Sequence, residues 1–161
     1  MFKLFQKKPQ EEHIYAPLKG EAVAIEAVPD PTFAEKMMGD GIAIKPVDGK
    51  LVAPFDGEVI QVFPTKHAIG LRGTSGLELL IHIGLETVSL NGKGFEAAVK
   101  AGDKVKKGDP LITFNLAFIK EWAADSITSI VITNGEKVKS LEKKTGVEAL
   151  AGETEIMTAQ L

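Results

Sequence analysis

Turn signals separate short apolar segments along most of this chain, and this alternation constrains its fold more than any other feature. Pro, Asp, Lys and Gly build the segments 17–20, 46–49 and 54–57. Proline presets φ, aspartate tolerates turn geometry and glycine supplies positive φ, so these segments are predicted to be turns. The runs between them are apolar or alternating, and they are predicted to be strands: residues 21–25, 41–44, 50–53 and 58–63. The pattern predicts an all-β protein, an antiparallel sandwich or barrel.

Two segments have helical patterns, and both are too short to change the fold class. Residues 32–38 would place Phe33, Met37 and Met38 on one side of a helical turn, and residues 116–124 form the second segment. A weak internal repeat is also present, because residues 15–23 and 52–60 share the spacing Ala-Pro-x-x-Gly-Glu. The repeat fits two similar half-units packed together. Chance similarity over six positions is the alternative.

Composition excludes several functional classes. The chain has 161 residues, of which 44% are apolar, enough for one domain with its own core. It contains no cysteine, which rules out a disulfide framework, a thiolate metal site and a cysteine nucleophile. The net charge of -3 argues against a nucleic-acid binder, since nothing would neutralise a row of phosphates.

The N-terminus is predicted to be a flexible tail over residues 1–13, followed by a domain over 14–161. A secretory signal needs an uninterrupted apolar run of about 7–15 residues, and lysines break any such run here. No stretch approaches the roughly 18 apolar residues of a membrane span. The protein is therefore expected to be cytoplasmic. The alternative to a solvated tail is a weak membrane-surface contact through the side chains of Phe2, Leu4, Phe5, Lys3, Lys7 and Lys8.

Residues 65–85 are the most informative segment, because they read as strand, turn, strand and contain two of the three histidines. A turn of two or four residues at 73–76 would place His67 directly opposite His82. Opposed residues share a face with Cβ atoms about 4.5–5.5 Å apart, so the imidazoles would converge. A loop of three or five residues would shift the register by one and separate them. His13 lies in the predicted tail and is expected to be solvated.

Alternation also predicts which way each residue of the second strand points. An apolar row faces the core, formed by Leu77, Leu79, Ile81, Ile83 and Leu85. His82 then points the other way, beside Leu80. Paired imidazoles could ligate zinc, for which two ligands are incomplete, or one could act as a nucleophile for a phosphoryl group. In the second case the other imidazole and the Thr65 hydroxyl could donate hydrogen bonds to the phosphoryl oxygens. A buried structural histidine is the alternative to both.

Five blocks of sequence resemble one known family. They lie at residues 28–46, 52–57, 65–67, 79–88 and 102–109, and the likeness extends from Ile14 to the C-terminus. The family is the glucose-family enzyme IIA of the bacterial phosphoenolpyruvate-dependent sugar phosphotransferase system. The resemblance implies a cytoplasmic, monomeric phosphotransferase component, built as an antiparallel β-sandwich from a duplicated hybrid motif. It implies no required cofactor.

The resemblance also implies roles for particular residues. His82 would accept phosphate from the phosphocarrier protein HPr on its Nε2 atom and pass it to a cysteine of the IIB domain of a sugar permease. His67 would interact with the phosphoryl group and be needed chiefly for onward transfer. Thr65 would hydrogen-bond within the histidine pair. Gly84 would be the small residue that the fold requires next to the site.

A docking surface follows from the same resemblance. HPr carries a basic ring around its own histidine, so an acidic rim formed by Asp30 and Glu86 would steer it. The apolar docking residues would be Phe33, Met37, Met38, Phe63 and Leu80. Ile81 falls near that surface in the family, but strand alternation directs it inward here. For Phe33, Met37 and Met38, plain core packing is the alternative.

Rival functions are weaker. A biotin or lipoyl carrier needs a modifiable lysine at a hairpin tip, and residues 35–38 do not form that motif. A zinc peptidase on a related scaffold would need a second histidine where Gly84 stands. Two alternatives remain open: zinc binding by His67 and His82 with a third ligand from a partner, and a purely regulatory binding protein using the same pair. The sequence does not identify the sugar.

Overall fold

Antiparallel strands dominate the computed structural model, which describes residues 10–161. The all-β prediction is therefore confirmed. The strands are β1 Glu11–Tyr15, β2 Gly20–Ala24, β3 Gly41–Pro46, β4 Lys50–Val52, β5 Gly57–Val62, β6 Ala68–Gly73, β7 Glu78–His82, β8 Phe95–Ala97, β9 Lys104–Val105, β10 Pro110–Phe114, β11 Thr128–Ile132, β12 Ser140–Lys143, β13 Val147–Ala149 and β14 Glu155–Gln160. The helices are α1 Pro31–Ala34 and α2 Leu116–Trp122, with short 3₁₀ helices at Ile25–Ala27, Thr87–Leu90 and Gly135–Lys137.

Three sheets enclose the core. The largest has the strand order β13-β2-β3-β11-β7-β6-β5-β9, and two smaller sheets have the orders β1-β14-β12 and β4-β10-β8. All three contribute fully buried aliphatic side chains to one cluster, for example Ile81 from the large sheet, Ile14 and Leu111 from the small ones. No helix within the described part of the chain has the length and hydrophobicity of a transmembrane span.

The central strands of the large sheet are buried on both faces, and this positions the site. Ile42 and Ile44 of β3 point into the main cluster, whereas Ala43 between them belongs to a smaller cluster on the opposite face. Ile81 and Leu80 of β7 divide in the same way. The small cluster therefore forms an apolar floor on the outer face of the sheet, because side chains alternate along a strand.

The internal repeat corresponds to two half-units that contact each other symmetrically. The N–H of Tyr15 donates to the carbonyl oxygen of Pro54 at 2.9 Å, and the N–H of Val52 donates to that of Pro17 at 2.9 Å. These pairs occupy equivalent positions in residues 15–23 and 52–60. The glycines that begin β2 and β5 also pair with the equivalent edge strands β13 and β9. The structure therefore favours duplication over chance similarity.

The ordered domain begins earlier than residue 14. Strand β1 starts at Glu11 and pairs with β14, so residues 11–13 are not part of a tail. Alternation explains this: the Glu12 side chain turns inward and accepts hydrogen bonds from the N–H and hydroxyl of Ser75. His13 points outward and is exposed, as expected, and it pairs with Glu155. The suggested membrane contact falls on residues 1–8, which lie outside the described residues.

Helix α1 is shorter than the sequence pattern suggests. It begins with an Asp30 cap, whose Oδ1 accepts from the N–H of Thr32 at 2.9 Å, and it ends at Ala34. Lys36 then adopts a left-handed φ of 61°, which turns the chain away. As a result Phe33 is buried, whereas the side chains of Met37 and Met38 are 71% and 42% exposed.

Candidate functional site

The β6–β7 hairpin has a register different from the one predicted. Ala68, not His67, lies opposite His82, and the loop contains three residues, 74–76. Gly76 has a φ of +95°, the left-handed residue that closes a three-residue hairpin loop. His67 consequently lies opposite Ile83, whose N–H donates to the His67 carbonyl oxygen at 2.7 Å. Directly opposed histidines required a loop of two or four residues, and the observed three-residue loop shifts the register by one, as expected for that length.

The two imidazoles nevertheless meet, by a different route. His67 precedes β6 and belongs to a tight turn in which the N–H of Lys66 donates to the carbonyl oxygen of Phe63 at 2.7 Å. Lys66 has a left-handed φ of 59°, so the direction of the His67 side chain is not set by the alternation along β6. Its ring centroid lies 4.9 Å from that of His82, edge to face at 81°.

Small residues make room for the His82 ring. Its neighbours across the sheet are Ala68 on β6 and Ser129 on β11. Within residues 10–161, the Ser129 hydroxyl is the buried side-chain polar atom without a hydrogen-bond partner. Ser129 was missed in the sequence, because its contact with His82 depends on a pairing between strands more than forty residues apart.

The Nδ1 atom of His82 is fixed by the backbone just beyond β7. It hydrogen-bonds the carbonyl oxygen of Gly84 at 2.9 Å. A carbonyl only accepts, so Nδ1 carries the proton and Nε2 keeps its lone pair. Gly84 is needed there, because its φ is +71° and an added Cβ would lie 2.7 Å from both the Asp125 carbonyl oxygen and a methyl group of Thr87.

His67 is fixed in the same way by Thr65. Its Nδ1 atom lies 2.5 Å from the Thr65 hydroxyl oxygen. The structure gives no further hydrogen bond to Nε2 of either ring in the described chain. Each ring is also flanked by an aromatic side chain: Phe33 lies 5.1 Å from His82 and Phe63 lies 5.7 Å from His67, measured between ring centroids.

Both imidazoles are held neutral near pH 7. Burial, reinforced by the nearby His82, lowers the pKa of His67 to about 4. Burial also lowers the pKa of His82, although the Gly84 carbonyl and the Asp30 carboxylate oppose the shift. A neutral imidazole has the free nitrogen lone pair that nucleophilic attack or metal binding requires.

The rings open into a groove of about 340 Å³ on the apolar outer face of the large sheet. Its lining contains most of the predicted docking residues, namely Asp30, Phe33, Met38, Phe63, Leu80 and Glu86. Met37 does not line the groove. Ile81 is fully buried, as alternation predicted. Leu85 departs from the predicted core row and packs in the small cluster, because the turn at Gly84 ends the alternation.

Two imidazoles could serve as metal ligands here. Within residues 10–161 no group of three or more His, Asp or Glu side chains is arranged to hold a metal ion. The arrangement instead offers two imidazoles, one with its Nε2 lone pair assigned, that line one groove together with the carboxylates of Asp30 and Glu86. That geometry suits a group that arrives on one protein and leaves on another.

Comparisons with known proteins identify the family. The model of the family described as "phosphoenolpyruvate-dependent sugar phosphotransferase system, EIIA 1" matches residues 12–138. A PTS system glucose-specific EIIA component of Halalkalibacterium halodurans is 57% identical over 153 residues, covering 95% of this chain and 88% of that protein. The protein of the same name from Staphylococcus epidermidis is 50% identical over 158 residues, covering 96% and 95%.

A solved structure gives the same result. Glucose permease IIA from Mycoplasma capricolum matches with a TM-score of 0.85 at 37% identity, covering 95% of this chain and 99% of that one. The likeness confirms the antiparallel β-sandwich and extends over all three sheets.

Proposed function

Because the chain belongs to the EIIA 1 family of the phosphoenolpyruvate-dependent sugar phosphotransferase system, we propose that it carries the phosphoryl group of that system on Nε2 of His82. It is a phosphotransferase component with a phosphohistidine intermediate. Its donor is HPr, and its acceptor is the cysteine of a IIB domain. The single observation that carries the assignment is the His82 ring, neutral, lining the groove, with its Nδ1–H bound to the Gly84 carbonyl so that Nε2 keeps its lone pair.

Both transfers balance with the groups present. In the first, the Nε2 lone pair of His82 attacks phosphorus, the N–P bond to the HPr imidazole breaks, and that imidazole leaves with the bonding electrons. Phosphorylation leaves a positive charge on the His82 ring. The hydrogen bond from its Nδ1–H to the Gly84 carbonyl oxygen is then charge-assisted and stronger. In the second, the thiolate of IIB attacks phosphorus, and the bond to Nε2 of His82 breaks. Positioning and charge stabilisation supply the catalysis.

His67 and Thr65 support the phosphoryl group rather than carry it. When the Thr65 hydroxyl donates to Nδ1 of His67, the His67 proton must reside on Nε2. That N–H then donates to a phosphoryl oxygen on His82, whose ring centroid is 4.9 Å away. Phosphohistidine carries close to two negative charges near neutral pH, so a directed N–H stabilises it.

A Thr65→Val variant tests that arrangement. Valine keeps the shape and removes the hydroxyl, so His67 loses the group that selects its tautomer. We expect phosphate uptake by His82 to persist and transfer to IIB to slow about tenfold, the upper end of what one hydrogen bond between neutral groups contributes. ¹⁵N–¹H correlation spectra should show His67 redistributed between tautomers. An unchanged tautomer with unchanged transfer would contradict the role, and Thr65→Ser, which keeps the hydroxyl, is the control.

The acidic rim is tested at low salt. Asp30 also caps α1, so Asp30→Asn is preferable to a lysine because asparagine caps equally well. Combined with Glu86→Lys, it should slow phosphate transfer from HPr about three- to tenfold at low ionic strength, with the difference shrinking above about 0.5 M salt. The charge-matched control is Glu148→Gln with Glu142→Lys, two exposed residues on β13 and β12. Equal effects of the two pairs would show that only net charge matters.

The acceptor is proposed to belong to a glucose-type permease. Relatives 57% and 50% identical to this chain carry the name glucose-specific EIIA component. A relay reconstituted from phosphoenolpyruvate, enzyme I, HPr and this chain should deliver one phosphate per chain. Challenge with IIB domains for glucose, N-acetylglucosamine, β-glucosides and sucrose then identifies the partner. Failure to take up any phosphate would contradict the function itself.

We propose no resident zinc for the isolated protein. His67 and His82 together supply two ligands, and four are needed for a closed tetrahedral site. The metal alternative is zinc bound by His67 and His82 with a third ligand from a partner. The regulatory alternative uses the same groove and adds to the carrier function without replacing it.

A further inference from the structure

One buried hydroxyl lies next to His82 with no hydrogen bond to account for it. Ser129, on β11, is 1% exposed and pairs directly with His82 across the β7–β11 ladder. Directly opposed residues share a face, with their Cβ atoms about 4.5–5.5 Å apart. Among residues 10–161, the Ser129 Oγ atom is buried and has no hydrogen-bond partner. The hydroxyl is therefore beside the imidazole without being bonded to it.

The other neighbours of this hydroxyl on the same face are apolar. Ile127 and Val131, two positions away along β11, are buried in the small cluster. The residue paired with Ser129 on β3 is Ala43, which belongs to the same cluster. None of these three side chains can donate or accept a hydrogen bond. Of the two residues paired with Ser129 on the neighbouring strands, His82 is therefore the one with a polar side chain.

The preceding residue of β11 shows how a buried hydroxyl is ordinarily satisfied. Thr128 is fully buried on the opposite face, and its Oγ1 donates to the carbonyl oxygen of Ser126 at 3.1 Å. A buried hydroxyl without a partner instead destabilises the folded chain, and alanine at that position would leave no side-chain polar group unpaired. Departures of this kind are expected at functional sites, where another state of the molecule uses the group.

Phosphorylation changes what the His82 ring presents to the Ser129 hydroxyl. In the free protein the ring is neutral, and its Nδ1–H is already bonded to the Gly84 carbonyl oxygen. When Nε2 bonds to phosphorus, Nδ1 keeps its proton and the ring becomes a cation. A serine hydroxyl rotates, so its oxygen can turn towards the positive ring. The attraction between this dipole and the cation is strong because the site is buried and its dielectric constant is low.

We propose that Ser129 is a positioning residue of the relay, and that its hydroxyl dipole stabilises the cationic ring of phosphorylated His82. The inference rests on the proposed function. The role differs from that of His67, because His67 directs an N–H at the phosphoryl oxygens whereas Ser129 acts on the ring from within the sheet. Ser129 therefore affects how strongly His82 holds the phosphoryl group that it receives from HPr.

A Ser129→Ala variant tests the proposal in the reconstituted relay. We expect the equilibrium between phospho-HPr and this chain to shift about three- to tenfold towards phospho-HPr, the scale of one hydrogen bond. Delivery from phosphorylated His82 to IIB should not slow, in contrast with His67→Ala. The thermal midpoint of the unphosphorylated variant should stay the same or rise, because no unpaired hydroxyl remains.

Thr128→Val is the matched control, since it removes the other buried hydroxyl of β11 from the opposite face. It should lower the thermal midpoint, because the Ser126 carbonyl loses its donor, and leave the phosphotransfer equilibrium unchanged. Ser129→Thr, which keeps the hydroxyl, should retain the wild-type equilibrium. Equal shifts of the equilibrium in Ser129→Ala and Thr128→Val would overturn the proposal, because any change in β11 would then have the same effect.

An NMR titration of His82 in the unphosphorylated protein gives a readout that does not depend on the relay. Protonation also makes the ring a cation, so Ser129→Ala should move the His82 titration to lower pH. The other titratable groups that line the groove, Asp30, Glu86 and His67, are the same in both proteins. The proposal requires both the moved titration and the shifted equilibrium, and absence of either would overturn it. If wild-type protein takes up no phosphate, the proposed function fails, and the titration alone decides whether the hydroxyl stabilises the ring cation.

Discussion

Replacing His82 by alanine is expected to abolish phosphate uptake from phospho-HPr. The described structure places no second imidazole in the same environment: Nε2 of His82 has its lone pair fixed by the Nδ1–H bond to the Gly84 carbonyl oxygen. Loss of the nucleophile in covalent catalysis typically costs at least about 10³-fold in rate. The measurement is incorporation of labelled phosphate from phosphoenolpyruvate through enzyme I and HPr.

The chain offers a matched control for this variant. His13 is exposed on β1 and pairs with Glu155, far along the sequence from the groove. His13→Ala should take up phosphate at the wild-type rate and stoichiometry. A His82→Ala protein that is folded, as judged by its circular dichroism and thermal transition, and is still phosphorylated normally would remove His82 from the relay.

Replacing His67 by alanine is expected to separate the two transfers. The variant should still accept phosphate, because Nε2 of His82 is positioned by the backbone and not by His67. Onward transfer to IIB should fall about 100-fold or more, since the phosphoryl group loses the N–H directed at it. The comparison is between single-turnover uptake from HPr and single-turnover delivery to IIB, measured on the same preparation.

The ionisation of His67 gives this prediction a second test. With a pKa of about 4, His67 is neutral throughout the range from pH 6 to pH 8. An NMR titration of the unphosphorylated protein should therefore show no transition of His67 in that range. His67→Gln, which offers an amide N–H, should recover part of the lost rate. Equal loss of uptake and delivery in His67→Ala would contradict a role in onward transfer.

The hairpin shows where sequence reasoning succeeded and where it could not. Alternation along β7 correctly predicted that the side chain of Ile81 points inward and that of His82 outward, because the two-residue period of a strand is a local property. The register stayed conditional, because loop length depends on whether Gly76 closes a three-residue loop in the left-handed region. The two imidazole rings still contact each other because of a left-handed turn at Lys66, which no local sequence pattern predicts.

Other features depended on contacts distant in sequence. The acceptor that fixes the His82 ring is the carbonyl oxygen of Gly84. Every residue has a backbone carbonyl, so the sequence does not indicate which one makes this hydrogen bond. Ser129 comes to the site from strand β11, which only the folded sheet brings near. The exposure of Met37 follows from the early end of α1 at Ala34, whereas the short pattern there extended the helix to residue 38. Turns and strands, governed by nearby residues, were predicted well.

The central claim is that one phosphoryl group resides on Nε2 of His82. The most direct measurement is ³¹P NMR of the protein phosphorylated through HPr, combined with mass spectrometric mapping of the modified peptide. The account predicts a single phosphohistidine signal of the Nε2 type, mapped to His82 and absent from His82→Ala. A phosphoryl group mapped to His67 or His13, or bonded to Nδ1 of His82, would contradict it.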